Sequence, residues 1–300
     1  MKKLRWISVL LLLPLLLSFV LWCVPARAQE RPEAATLLWQ LVNEARADPL
    51  AALAAAGIDE AAARAALGAD AGLLDTGLPP LAWDGKLGLA AAGHNREMVE
   101  RMYYSSAGLD GSTPFERITA FGYEAAAADE LLGAMAFDVF LEPADAAVMI
   151  FTGWLRDEFD PARTAPRHIL NPAWTEVAVD FRDAVIDLDD GLPMNLYVVV
   201  ADFATPVTPR AFMIGTVYVD ADGGGGWTIG EGLAGAGIAF RIDGYSGEGD
   251  TVSGCNGVWQ YPLVAGTWTI RVTDGQGSAA VYRLTQGYPP QNRRLNLRLR

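Results

Sequence analysis

The stretch from Pro79 to Ile118, PPLAWDGKLGLAAAGHNREMVERMYYSSAGLDGSTPFERI, constrains the architecture more than any other part of the chain. Leu87, Ala90, Ala91, His94, Met98 and Met102 recur at spacings of three and four. That pattern lays one apolar stripe along a helix of about four turns and requires that face to be buried. Gly108-Leu109-Asp110-Gly111 then signals a turn, and Thr113-Pro114-Phe115-Glu116 joins a capping box to a proline at the first helical position. A second helix therefore starts at Pro114.

The flanking segments extend this grammar. Residues 34–48 form an amphipathic helix with Leu38, Leu41, Val42 and Ala45 on one side, ended by Pro49. Ala51 to Leu67 is helical by alanine propensity alone, and Leu73 to Pro80 reads as a loop. Gly122 to Leu132 shows no clear period, whereas Pro143 to Leu155 is helical with Ala147, Val148, Phe151, Trp154 and Leu155 as its apolar side. Arg156 to Arg167 is a charged loop. Val177, Val179 and Phe181 alternate with Ala178, Asp180 and Arg182, and Leu196 to Phe203 is a β-branched run, so two strands flank an Asp189-Asp190-Gly191 turn. Helices outside a small sheet make an α/β/α layering.

Thr205-Pro206-Val207-Thr208-Pro209 reads as a linker, and beyond it helical periodicity stops. Short strands recur at Phe212 to Val219, Gly237 to Ile242, Val258 to Pro262, Thr267 to Val272, Val281 to Leu284 and Leu295 to Leu299, the spacing of a β-sandwich. The expected fold class is α+β: a three-layer unit at 29–204 and a small all-β unit at 205–300.

Residues 1–28 read as an export signal, with Lys2, Lys3 and Arg5, an apolar run from Trp6 to Val24, and Ala26-Arg27-Ala28 as a small-x-small cleavage site. The mature chain then starts at Gln29, and no membrane span is left after cleavage. The apolar run approaches the length of a membrane span, so an uncleaved anchor is the competing reading. Trp22 before Cys23 argues against a lipid attachment site. Cleavage removes four of the 23 basic and none of the 36 acidic residues, taking the formal charge from −13 to −17. Nucleic acid and anionic lipid are therefore poor partners. Cys255 would remain as the single cysteine, so no internal disulfide forms even in an oxidising compartment.

Leu41-Val42-Asn43-Glu44-Ala45-Arg46, Pro80-Leu81-Ala82-Trp83, the Ala91 to Met98 helix, Asp110-Gly111-Ser112-Thr113-Pro114, Gly122-Tyr123, Trp154, and Ile169-Leu170-Asn171-Pro172 leading into Thr175-Glu176-Val177 carry a resemblance. In their order and spacing they resemble the CAP superfamily, the SCP-like extracellular domain, in its bacterial branch. Ala211 to Asp274 resembles the prealbumin-like sandwich repeats of bacterial surface proteins.

The CAP resemblance implies a pocket of two histidines and two acids suited to a divalent cation. Here that set is damaged. Glu130 stands where the family has the glutamate of its Gly-Glu-Asn motif, followed by Leu131 in place of the asparagine. Asp157, three residues after Trp154, stands where a second acid is often found. Ser106 and Ala165 occupy the two histidine positions, with His168 three places out of register. The two histidines of the chain, His94 and His168, are otherwise a satisfied helix residue and a loop residue. Tightly bound zinc is not expected, because the soft ligands are too few.

Ser105 or Ser106 with His94 and Glu130 can be written as a serine hydrolase, but no Gly-x-Ser-x-Gly turn surrounds either serine. In the second unit, Asp220, Asp222 and Glu231 occupy positions 1, 3 and 12 of a twelve-residue calcium loop, with Gly225 at position 6 and Gly224 in place of the usual oxygen ligand at position 5. A solvated glycine-rich hairpin is the alternative for that loop. The reading at this level is an exported binder of a small apolar ligand or an extracellular protein partner, with calcium in its accessory sandwich. A metal-assisted or serine-dependent hydrolase is the rival, and a purely structural surface protein is a third reading.

Overall fold

A computed structural model describes residues 29–160, 163, 167–187 and 193–299. The expected export segment at 1–28, Ala165 and the Asp189-Asp190-Gly191 turn lie outside them. A short strand β1 (Gln29–Glu30) leads into α1 (Pro32–Ala47), followed by α2 (Pro49–Ala56), α3 (Glu60–Leu67), α4 (Leu73–Thr76) and β2 (Ala82–Trp83). The alanine-rich run is two helices rather than one. Gly57 closes α2 in the left-handed conformation (φ 65) and Asp59 caps α3 by accepting from the Ala62 N–H. Part of the expected loop before Pro80 is the single turn α4.

The stripe-bearing helix is α5 (Gly85–Arg101), capped by Asp84, whose carboxylate accepts from the N–H groups of Lys86 and Leu87. Helix α6 (Pro114–Ala120) opens with both halves of the expected capping box. The unpatterned segment after Gly122 becomes β3 (Ala125–Phe137), and α7 (Pro143–Glu158) precedes β4 (Glu176–Asp187) and β5 (Pro193–Pro206). The sheet runs β1-β4-β5-β3, antiparallel throughout, with β2 parallel to β4.

Alternation along the strands assigns its two faces. Val177, Val179, Phe181 and Phe203 pack with Leu38, Val42, Ile150 and Trp154 of α1 and α7. Ala178, Val198, Val200 and Ala204 meet Leu87, Ala90, Ala91 and Met98 of α5 and Ile118 of α6. This is the expected α/β/α layering. Among the described residues no helix is long and apolar enough to cross a membrane.

The remaining strands are β6 (Phe212–Val219), β7 (Gly237–Ile242), β8 (Glu248–Val252), β9 (Val258–Pro262), β10 (Gly266–Thr273), β11 (Ala279–Gln286), β12 (Arg293–Arg294) and β13 (Leu297–Leu299). One sheet runs β11-β10-β7-β8. In the other, β6 pairs with β9 antiparallel and with β12 and β13 in parallel. Met213, Val217, Phe240, Trp259, Trp268, Ile270, Leu297 and Leu299 form one core between them.

The linker is shorter than the sequence suggests, because Thr205 and Pro206 finish β5 opposite Ala127 and Ala125. The two halves also share a strand. Met213 and Val217 of β6 enter the second core, while Ile214 enters the first, with Phe212 packed beside it. Side-chain amides seal the seam. Asn292 donates to the Pro80 and Thr175 carbonyls (2.9 and 2.8 Å) and accepts from the Phe212 N–H (2.9 Å). Gln260 accepts from the Trp83 N–H and donates to its carbonyl, both at 2.8 Å.

Candidate functional site

Glu130 on β3 and Asp202 on β5 are cross-strand partners, so both carboxylates project from the sheet face that α5 covers. His94 of α5 meets them from above, its Nδ1 2.7 Å from Glu130 Oε2. Arg117 of α6 closes the group, with Nη2 2.9 Å from the same Glu130 oxygen and 3.1 Å from His94 Nδ1. The tautomer that pairs most atoms places a proton on Nδ1, donating to Glu130. The side chains of His94 and Glu130 have no exposed surface.

Burial, and then the Glu130 charge beside it, push the Asp202 carboxyl well above the usual carboxylate range. Asp202 thus takes up its proton at a higher pH than an ordinary carboxyl does. His94 Nε2, Glu130 Oε1 and Asp202 Oδ1 have no hydrogen-bond partner among the described residues.

The other sequence candidates lie apart from this group. Ser106 is exposed and offers its backbone carbonyl to Arg117 Nη2 (2.9 Å), while the Ser105 hydroxyl accepts from the Ala107 N–H. Neither hydroxyl is bonded to His94. Asp157, at the end of α7, has a half-exposed side chain paired with Arg163. His168 lies on the opposite face of the sheet. Its Nε2 is 3.1 Å from Asp129 Oδ2 and its ring packs 5.4 Å from that of Phe203, both odd-numbered strand positions facing α7. A one-residue step along a strand reverses the face, so His168 cannot complete the Glu130 group.

On that second face two buried ionisable side chains brace one loop. Glu158 accepts from the N–H groups of His168 (2.5 Å), Ile169 (3.0 Å) and Leu170 (3.4 Å), and burial raises its pKa despite these donors. Arg46 donates to the carbonyls of Pro79 (2.8 Å), Ile169 (2.7 Å) and Asn171 (3.0 Å). Burial lowers its pKa to about 9, opposed by the Glu158 charge. Asn43 pairs with both the N–H and the carbonyl of Leu81.

Sequence reasoning overlooked Arg117 and Asp202. Asp202 carried a signal, a lone carboxylate in the apolar run Leu196 to Phe203, which demands a partner once buried. Arg117 carried none.

The acids of the second unit converge. Asp220, Asp222 and Glu231 each present an oxygen within 4.8 Å of the others. Asp220 Oδ2 accepts from the Gly225 N–H (3.1 Å) and pairs with Arg298 (2.8 Å), while its buried Oδ1 has no partner among the described residues. Glu231 accepts from the N–H groups of Ala221, Asp222 and Thr228, and these backbone donors, Thr228 foremost, lower its pKa. Gly223 (φ 74) and Gly225 (φ 84) supply the left-handed turns that wrap the loop around them.

A search of curated proteins finds no match. Among solved structures the chain is similar to an outer surface protein from Borrelia burgdorferi, at 16% identity over 60% of this chain and 98% of that one, with a TM-score of 0.36. It is also similar to an extracellular protein containing an SCP domain from Bacillus anthracis str. Ames (23% identity, 42% of this chain, 34% of that one, TM-score 0.28). A DUF3823 family protein from Parabacteroides merdae matches at 17% identity over 31% of this chain and 46% of that one, with a TM-score of 0.22. The profile of the CAP family, described as the cysteine-rich secretory protein family, matches residues 39–183, which run from α1 into β4. Residues 39–183 are therefore a CAP domain.

Proposed function

We propose that this is an exported CAP-domain protein that works by binding a small apolar molecule, with the C-terminal sheets as an accessory unit carrying a calcium loop. The observation that carries the reading is the sealed state of the acid–base group. The side chains of His94 and Glu130 are fully buried, and Arg117 spans them. Hydrolysis needs a nucleophile within reach of the base and room for a substrate carbonyl. Here Glu130 holds His94 Nδ1 as a carboxylate holds a triad histidine, but the base nitrogen Nε2 is buried with no hydroxyl bonded to it among the described residues, and the nearby Ser106 offers a backbone carbonyl. The group has the composition of an ion network that ties β3, α5 and α6 together.

The implied zinc pocket lacks support for the same reason. His168 faces away, and Ser106 supplies no imidazole. A small apolar ligand accords with the precedent of lipid and sterol binding in some members of the family. Native mass spectrometry of the exported protein tests the reading, with an apolar molecule released on denaturation as the expected result. Turnover of ester or peptide substrates that a folded Glu130→Gln variant loses would replace it with the hydrolase reading.

A further inference from the structure

A cavity of about 370 Å³ opens where α1, β2 and the turn from β8 to β9 meet, walled by Trp39, Trp83, Trp259, Val252 and Val258 with Cys255 at its edge. That volume is within the range of small-molecule sites. No charged residue lines it, whereas Arg31, Glu33 and Glu142 line the cavity beside the start of α7, and Lys86, Glu124 and Arg210 line the one beside Tyr123. In a chain of formal charge −13 this uncharged lining sets the cavity apart.

Several polar groups in these walls are already engaged. Trp39 Nε1 donates to the Leu81 carbonyl (2.8 Å), Thr36 Oγ1 donates to the Pro32 carbonyl, and the Gln260 amide is held by both backbone groups of Trp83. The surface left over is chiefly the part-exposed Trp83 indole, valine side chains and the edges of the nearly buried Trp39 and Trp259. The Thr251 hydroxyl and Trp259 Nε1, unpartnered among the described residues, are its few polar groups, which disfavours nucleotides and ions. Trp39 and Trp83 cross edge to face, with centroids 5.6 Å apart at 68°. They form a corner in which a flat ring can lie against the part-exposed Trp83 indole with its edge toward the nearly buried Trp39, the arrangement aromatic pairs prefer. The Gln260 clamp holds the Trp83 backbone in place beforehand, so little ordering is left for binding to impose.

We infer that this corner, at the seam between the CAP domain and the C-terminal sheets, seats an uncharged flat apolar molecule of about two rings. The inference rests on the apolar-binder reading and moves its site away from the His94–Glu130 group. The test uses the whole protein with prodan, a neutral, flat, two-ring naphthalene probe whose fluorescence shifts to the blue in apolar surroundings. Saturable binding is expected, weakened at least about tenfold by Val252→Arg at the exposed rim and unchanged by Val281→Arg on β11, with both variants melting like the parent. Bound probe is also expected to slow alkylation of Cys255, located by peptide mass mapping.

Absence of probe binding overturns the inference, as does binding that ignores Val252→Arg and leaves Cys255 unprotected. If native mass spectrometry finds an apolar molecule equally on the parent and on Val252→Arg, the binder reading stands and the seat is elsewhere. If neither protein carries an apolar molecule or binds the probe, the binder reading falls as well.

Discussion

Asp202 couples folding to proton uptake more directly than any other acid among the described residues. Its carboxyl is buried beside Glu130, and burial above all raises its pKa, so the folded protein takes up a proton there at a higher pH than the unfolded chain, which does so near pH 4. An acid with a raised folded pKa favours the fold below its unfolded value and gives up that contribution as pH climbs through the folded value. An asparagine side chain at this position would reproduce the shape of the protonated acid without the titration. Asp202→Asn is therefore expected to melt about 2–4 °C higher than the parent at pH 7, with the gap closing toward pH 4. Parallel thermal melts at the two pH values measure it, and a gap that widens on acidification would contradict the assignment. His94 was visible in the sequence as a stripe residue and Glu130 by its place in the family pattern. Their joining was not, because it depends on the register of two strands 72 residues apart, Glu130 against Asp202.

At the scale of elements, legibility followed local signals. Helices α5 and α6 announced themselves by period and cap, whereas β3 is built from alanines and takes its conformation from pairing with β5. As an edge strand β3 is exposed to unwanted pairing, and two of its outward groups are plugged from within. Asp129 Oδ1 accepts from the Glu130 N–H (2.9 Å), and Trp154 Nε1 donates to the Leu132 carbonyl (2.7 Å). Gly133 makes the second plug possible, since a Cβ there would sit 2.5 Å from Ile150.

The loop after β6 was legible as a spacing, and its three acids do converge. We expect the intact protein to bind calcium with a Kd of about 10⁻⁴ to 10⁻³ M, measured by calorimetry. The heat should vanish in Asp220→Asn with Glu231→Gln. Arg298 competes for Asp220, so Arg298→Ala should tighten binding several-fold. No heat at several millimolar calcium would leave the solvated hairpin as the better description.

Across the whole molecule, β6 removes the independence that a linker between two units suggests. Ile214 is 3% exposed and sits in the core formed by α1, α7 and the first sheet, while its neighbour Met213 is buried in the second core. Ile214→Ala is expected to cost about 2–5 kcal/mol. Calorimetry should show one transition for the parent and one, displaced downward, for the variant. Two separate transitions in the parent would mean that the seam does not couple the cores.

The same strand orders events in time. Slots on β6 are filled by β12 and β13, and Asn292 reaches back to Pro80 and Thr175, contacts spanning 212 and 117 residues. A polypeptide emerging from its N-terminal side would hold its helical layers ready but unclosed until residues 292–299 arrive. Completion would then be a late, long-range step, slower than the helix formation that precedes it and dependent on the arrival of β12 and β13.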